Sequence, residues 1–205
     1  TIDHDIMLTK LHHYGIRNIE LDWFKSYLRN RQQYVSIDKV SSSFQNITHS
    51  VPQGSILGPL LFLIFINDLP NATDFFKFTL FADDSTLSCK ISDYNKDTIH
   101  LTINNHLNHV NSWLAANRLV INTDKTKYII FSYGKKIELP IIKIGEGEIE
   151  PTENTKFLGL HVDQDLKFSS HISYLTNKLS KNLGILYKLS KFLPRDVLVT
   201  LCHTL

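Results

Sequence analysis

Phe76-Lys77-Phe78-Thr79-Leu80-Phe81-Ala82-Asp83-Asp84-Ser85-Thr86-Leu87-Ser88-Cys89-Lys90 is the stretch that decides the fold. On either side of Phe81-Ala82-Asp83-Asp84 the residues are aromatic or β-branched and alternate in polarity. That pattern predicts two short strands, 76–81 and 85–90, joined as a hairpin with the acid pair at its tip. Asp-Asp is also ordinary turn chemistry, since aspartate tolerates the bend and hydrogen-bonds its own backbone. Against that reading, successive strand residues point to opposite faces, so the two acids are not spare charges on one side. Two carboxylates drawn together repel by about 4 kcal/mol at roughly 4 Å and an effective dielectric near 20, so a site that unites them implies a cation. A hard divalent ion such as Mg²⁺ takes one or two carboxylates together with phosphate oxygens.

Upstream of the hairpin, Val51-Pro52-Gln53-Gly54-Ser55 is a turn that feeds the apolar run Ile56–Ile66. The run is too short to span a bilayer and predicts a buried core helix beneath the sheet that carries the acids. Further back, helices are predicted over Ile6–Tyr14, ended by Gly15, and over Ile19–Leu28. The second ends on Lys25, Arg29 and Arg31, which suit either the helix dipole or a phosphate-facing patch. Residues 33–37 and 44–48 read as paired strands.

Downstream, Leu101–Leu119 has Ile103, Leu107, Val110 and Leu114 at helical spacing and Asn104, Asn105, Asn108 and Asn111 on the opposite side. His106 and His109 share that polar side without a third ligand, so a solvated face is expected rather than a metal site. Residues 125–131 and 156–162 read as strands. Gly134-Lys135 lacks the first glycine of a phosphate loop, and Gly145-Glu146-Gly147 reads as a hairpin turn. From Ser169 a long amphipathic helix carries Ile172, Leu175, Leu179, Leu183, Leu186 and Leu189, with Lys178, Lys181, Lys188 and Lys191 mostly off that stripe.

The 205 residues suffice for a packed core, and 42% hydrophobic with 20% charged residues is a globular composition. A net charge of +2 does not by itself argue for nucleic-acid binding. Cys89 and Cys202 are isolated, which excludes a disulfide framework or zinc module and suits a reducing compartment. Thr1-Ile2-Asp3-His4-Asp5-Ile6 opens without a cap or leader, and the apolar stretch 197–201 has no stop signal. Both ends read as those of a segment cut from a longer chain.

Val51-Pro52-Gln53-Gly54-Ser55, Phe81-Ala82-Asp83-Asp84, Asn122 to Lys125-Thr126 with Phe131, and Phe157-Leu158-Gly159 follow one another in order. This ordered set resembles the reverse transcriptases of non-LTR (LINE-like) retrotransposons over essentially the whole chain. The resemblance implies an α+β right-hand polymerase palm, an antiparallel sheet backed by helices, over residues 1–165, without fingers and incomplete at its N-terminus. The beginning of a helical thumb is implied over 166–205. The implied activity is RNA-directed DNA polymerisation, the transfer of nucleotides from dNTPs to a primer 3′-hydroxyl with two Mg²⁺ or Mn²⁺ ions about 3.5–4 Å apart. Asp83 and Asp84 match the family's metal-binding pair. Pro52, Gln53, Gly54 and Ser55, with Phe81 and Ala82, match positions near the template and incoming nucleotide.

Lys125 matches the family's mobile lysine near the triphosphate, although a surface lysine on a strand is an equal reading. Phe157, Leu158 and Gly159 match the hairpin that steadies the primer end. The absence of a Cβ at Gly54 lets backbone approach a nucleotide, whereas Phe81 is expected to pack in its sheet. Asp3-His4-Asp5-Ile6 resembles the segment just after the block with the first metal-binding aspartate, which would then precede Thr1. Asp3 and Asp5 are read as structural. Ser50 stands where the family commonly has glycine, and Ser85 where threonine is frequent. The implied partners are an RNA template, a DNA primer or RNA–DNA hybrid and dNTPs, without a membrane, in nucleus or cytoplasm; oligomeric state stays open. The alternative is a degenerate, non-catalytic remnant that grips nucleic acid through its lysines.

Overall fold

The computed structural model describes residues 2–52, 54–91, 98–132 and 141–204. Thr1, Gln53 and Gly134-Lys135 lie outside the described residues. The chain is α+β and divides into two compact units, Thr1–Thr123 with Leu139–Glu148 and Asp124–Glu138 with Ile149–Leu205.

The first unit begins with a capped helix, contrary to the uncapped start expected from sequence. Asp3 is the N-cap of α1 (His4–His13), its Oδ1 accepting from the amides of Asp5 and Ile6 at 3.0 Å. A carboxylate there satisfies amides that have no partner within the helix. Its other oxygen receives Arg118 Nη1 at 2.6 Å. Gly15, with φ +92°, ends the turn after α1, and α2 (Asn18–Leu28) follows. The basic end of α2 reads structurally in part, because Arg29 donates to Asp5 at 2.6 Å.

The next segment is a long, nested hairpin. Its outer strands β1 (Arg31–Gln33) and β4 (Gln45–Ile47) pair antiparallel, and inside them β2 (Ser36–Ile37) pairs with β3 (Val40–Ser41). Asp38 and Lys39, at φ +48° and +71°, make the tight turn between β2 and β3 that a hairpin twist favours.

Helix α3 (Leu57–Ile66) carries Pro59 in its first turn, where a missing N–H costs nothing. Leu61 and Phe65 are fully buried with Ile2, Met7, Leu11 and Leu28 in one cluster, so α3 packs on α1 and α2. It was expected beneath the acid-bearing sheet, but its apolar residues run all round, and periodicity cannot say which neighbour covers them. One face, at Ile56, Leu60 and Leu63, remains exposed. Lys10, on α1, joins these helices. Its ammonium donates to the Phe65 carbonyl at 2.7 Å and to Asp68, and lies 4.8 Å from the Phe65 ring centre and 4.6 Å from that of Trp113. Burial pushes its pKa down, and Asp68 opposes that shift.

After a 3₁₀ turn (Leu69–Ala72) come β5 (Lys77–Phe81) and β6 (Asp84–Ser88), then α4 (Ile99–Ala116). Ile103, Leu107 and Val110 are buried, as their spacing predicts; Leu114 is only half-buried, and Ile99, ahead of the expected helix start, is buried with them. The asparagine side is not simply solvated. Asn104 donates to the Ile141 carbonyl (3.2 Å) and accepts from the Lys143 amide (2.9 Å), and Asn108 accepts from the Gly145 amide (3.3 Å). These amides act as a surrogate neighbouring strand for β8 (Ile142–Ile144), which explains why polar residues face a packed element. The turn at Gly145 has φ +59°, and a Cβ there would meet Asn111 Nδ2 at 2.8 Å.

In the second unit the strand expected over 125–131 shrinks to β7 (Lys127–Tyr128), parallel to the end of β9 (Gly147–Pro151). The strand expected over 156–162 is instead a hairpin of β10 (Asn154–Phe157) and β11 (Leu160–Asp163). Leu158 and Gly159, at φ +46° and +88°, form its two-residue turn. An apolar residue in a left-handed turn position hides the break from a reading by hydrophobic pattern. Helices α5 (Ser169–Leu189) and α6 (Arg195–Thr204) complete the unit, and neither has a buried residue. No described helix is long and apolar enough to cross a membrane.

Burial alone pushes the Asp3 carboxyl up, but the Ile6 amide, Arg118 and the Asp5 amide outweigh it and hold the group below its ordinary 3.8. The unfolded chain therefore binds the extra proton first. The stability this group contributes is present above pH 3.8 and is lost as pH falls through the lower folded value. Asp3→Asn, which keeps a capping side chain, should lose about 1–2 kcal/mol at neutral pH and flatten the acid limb. Urea denaturation at a series of pH values measures both; an unchanged acid limb would mean that Asp3 is not its source.

Candidate active site

The acid pair sits where the sequence places it, on a hairpin. Phe81 pairs with Asp84, so Ala82 and Asp83 form a two-residue connection, with Ala82 left-handed at φ +50°. Both aspartates are exposed. The pairing also sorts the two faces. Phe78, Leu80 and Leu87 are half-buried on one, while Lys77, Thr79, Phe81, Asp84, Thr86 and Ser88 are exposed on the other. Phe81 is 61% exposed and does not pack as expected. The reason is parity: the side chain shares the face of its cross-strand partner Asp84.

A hard cation is a chemical fit to this tip, which offers two exposed carboxylates neighbouring in sequence and no soft donor. It is an incomplete set, because among the described residues no three His, Cys, Asp or Glu side chains are grouped to hold a metal.

At the root of the hairpin, Thr73 Oγ1 lies 2.7 Å from His106 Nδ1 and accepts from the Phe75 amide at 3.2 Å. The His106 ring stacks on Phe75, centroids 4.6 Å apart and planes 6° from parallel, and meets Phe76 edge-on at 6.4 Å. His106 is therefore an internal contact rather than part of a solvated face. His109 touches only the edge of its ring among the aromatic contacts described, 5.5 Å between centroids.

The second cluster of candidates is the loop that enters α3. The Ser55 amide donates to the Pro52 carbonyl (3.2 Å), and Gly54, at φ +77°, lies in the left-handed region that glycine favours in tight turns. Glycine is required here by its own backbone, and the space where its Cβ would point is open. Ser55 Oγ caps the start of α3 by accepting from the Gly58 amide at 3.0 Å. A Cβ on Gly58 would lie 3.0 Å from that hydroxyl and 3.3 Å from Val51, so its absence lets the loop settle on the helix. Before the loop, the Ser50 amide donates to the Ile2 carbonyl (2.7 Å) and the Ser50 carbonyl is 2.7 Å from His4 Nε2. Ser50 adopts φ +76°, a conformation natural to glycine.

Lys125 is exposed in the turn before β7, not on a strand, and Phe157, Leu158 and Gly159 form the tip of the β10–β11 hairpin. These residues belong to the second unit. There β11 meets α5 through His161, His171 and Tyr174, with the His161 amide 3.4 Å from His171 Nδ1. The lysines of α5 are solvated, and its apolar stripe is exposed, with Leu179 at 59% and Leu183 at 64%.

Lys10, Thr73 and Gly58 are residues that the sequence reading does not single out, and His106 is one that it places on a solvated face. A lysine on an amphipathic helix and a threonine in a loop carry no pattern of their own. The regular spacing of Asn104, Asn108 and Asn111 along one helix face was a usable signal of a polar partner.

The chain is similar in sequence to known proteins. Residues 1–162 match the family model described as reverse transcriptase (RNA-dependent DNA polymerase). Over 156 residues, 73% of this chain, it is 30% identical to the RNA-directed DNA polymerase from mobile element jockey of Drosophila melanogaster, of which that covers 17%. It is 29% identical over 159 residues to the probable RNA-directed DNA polymerase from transposon X-element of the same fly, covering 76% of this chain and 17% of that protein. A third similarity, 30% over 163 residues, is to the probable RNA-directed DNA polymerase from transposon BS, also of Drosophila melanogaster, covering 75% of this chain and 18% of that protein. The chain thus spans about a sixth of the length of these curated relatives.

The loop ends respond oppositely to substitution. Ser50→Gly relieves a left-handed serine and should stabilise by about 0.5–1 kcal/mol, after the entropy glycine adds to the unfolded chain. Gly54→Ala should destabilise by about 1–2 kcal/mol. Chemical denaturation of the two variants checks the signs, and a neutral Gly54→Ala would remove the backbone reason for that glycine.

Proposed function

Since the chain belongs to the reverse transcriptase (RNA-dependent DNA polymerase) family, we propose that it supplies the palm of a non-LTR mobile-element polymerase over residues 1–165 and the start of its thumb over 166–205. The observation that carries this reading is the pair of exposed carboxylates at a two-residue hairpin tip. A decaying remnant that only binds nucleic acid leaves that pair without a purpose.

In this reading Asp83 and Asp84 would hold two Mg²⁺ or Mn²⁺ ions, jointly with the aspartate of the family's first catalytic block. Bound there, the ions would supply activation of the primer 3′-hydroxyl and neutralisation of the leaving pyrophosphate. The protein's own share is positioning and charge, since phosphoryl transfer asks little covalent chemistry of side chains. Pro52, Gln53, Gly54 and Ser55 shape the surface against the incoming dNTP and the RNA template, where the open side of Gly54 admits close approach. Phe81 and Ala82 line the same nucleotide. Lys125 donates a proton to the pyrophosphate as it departs. Phe157, Leu158 and Gly159 steady the 3′ end of the DNA primer, and Lys178, Lys181, Lys188 and Lys191 track the backbone of the hybrid through phosphate contacts.

The test is extension of a DNA primer on an RNA template, with Mg²⁺ or Mn²⁺, by the polymerase carrying both this chain and the aspartate of that first block. Asp83→Ala should lower the rate by about a thousandfold, the loss of several kcal/mol of charge stabilisation. Gly54→Ala should act mainly on the dNTP KM. Extension that survives Asp83→Ala at the wild-type rate would overturn the proposal.

A further inference from the structure

We infer that His106 of α4 is a positioning residue for the acid pair, acting on the hairpin through Thr73, Phe75 and Phe76; this rests on the proposed function of Asp83 and Asp84. A hairpin of two short strands is marginal in water by itself, so its orientation must come from what holds it. Its half-buried face offers only Phe78, Leu80 and Leu87. The firm grip is at the root, where Thr73 and Phe76 are each 8% exposed immediately before β5 begins at Lys77.

One imidazole supplies that grip from three directions. Its face lies against Phe75 at 4.6 Å, its edge meets Phe76 at 6.4 Å, and its Nδ1 is 2.7 Å from Thr73 Oγ1. The same hydroxyl accepts from the Phe75 amide at 3.2 Å, so backbone and side chain are set by one atom. A phenylalanine would supply the ring without the nitrogen, and an asparagine the hydrogen bond without the ring. Histidine supplies both. The imidazole is itself held, because Ile103, Leu107 and Val110 on the same helix are buried and Trp113 lies over Lys10. Order therefore passes from the core of the first unit through α4 into β5, and from β5 to the tip. Metal-binding carboxylates need placement to about 0.5 Å, which explains a built anchor where a plain apolar contact would hold a hairpin of no function.

The test uses the chain with Thr73→Val, Thr73→Ser and His106→Phe, read by amide hydrogen exchange and by Mn²⁺ broadening of the Asp83 and Asp84 resonances. Thr73→Val and His106→Phe should speed exchange over 77–88 by about tenfold while α1 stays at the wild-type rate. They should also raise the Mn²⁺ concentration for half-broadening several-fold. Thr73→Ser, which keeps the hydroxyl, should restore both. Wild-type exchange in the hairpin, equal acceleration throughout the unit, or unchanged Mn²⁺ titration despite faster exchange would each overturn the inference. Should His106→Phe fail to fold, the Thr73 pair decides. Failure of the proposed function shows separately, as primer extension that survives Asp83→Ala; if the chain alone gives no Mn²⁺ broadening, exchange decides whether His106 anchors the hairpin.

Discussion

The ammonium of Lys10 is the constraint on which the first unit depends. It reaches from α1 to the last carbonyl turn of α3 and to Asp68, and the Phe65 and Trp113 rings cover it. A cation drawn largely out of water demands such partners, since an ammonium without them loses its solvation uncompensated. The geometry is therefore specific as well as cohesive. With α1 and α3 joined and α4 drawn in by Trp113, the loop at the start of α3 and the hairpin root on α4 are referred to one frame.

From that frame the chain carries its unusual residues outward. Leu61 and Phe65 bury one side of α3, while its N-terminus presents Pro52, Gly54 and Ser55. Ile103, Leu107 and Val110 bury one side of α4, while His106 grips the strand that leads to Asp83 and Asp84. These candidates are thus exposed or half-buried groups on or beside short connections, with packed helices behind them. Ser50 and Ala82 are among the non-glycine residues held in the left-handed region, where Gly54 also lies without a Cβ to clash.

The departures from the sequence reading have two causes. Leu158 hid a turn because its apolar side chain continues the strand pattern, although its backbone is left-handed. His106 and the asparagines of α4 were assigned to solvent because they are polar, yet Thr73 and the backbone of 141–145 meet them. Asp3 was not recognised as a cap, even though aspartate before a helix is a known start signal. For His106 and the asparagines the partner lies 33 to 39 residues away along the chain; the Asp3 cap and the Leu158 turn are local features that hydrophobic pattern alone does not express.

What the sequence by itself determined is therefore local and chemical. Period-two alternation sufficed for the acid hairpin, helical spacing for α2, α4 and α5, and the order of Pro52-Gln53-Gly54-Ser55 and Phe81-Ala82-Asp83-Asp84 for the family, because these depend on neighbours within a few residues. Only the tertiary structure decided that α3 packs on α1, that Phe81 faces outward with Asp84, and that Lys10 and His106 hold the frame. Those outcomes depend on which side chain fills a given space at a distance of 33 or 55 residues along the chain. Packing and desolvation select that partner, and neither is expressed in the periodicity of any one segment.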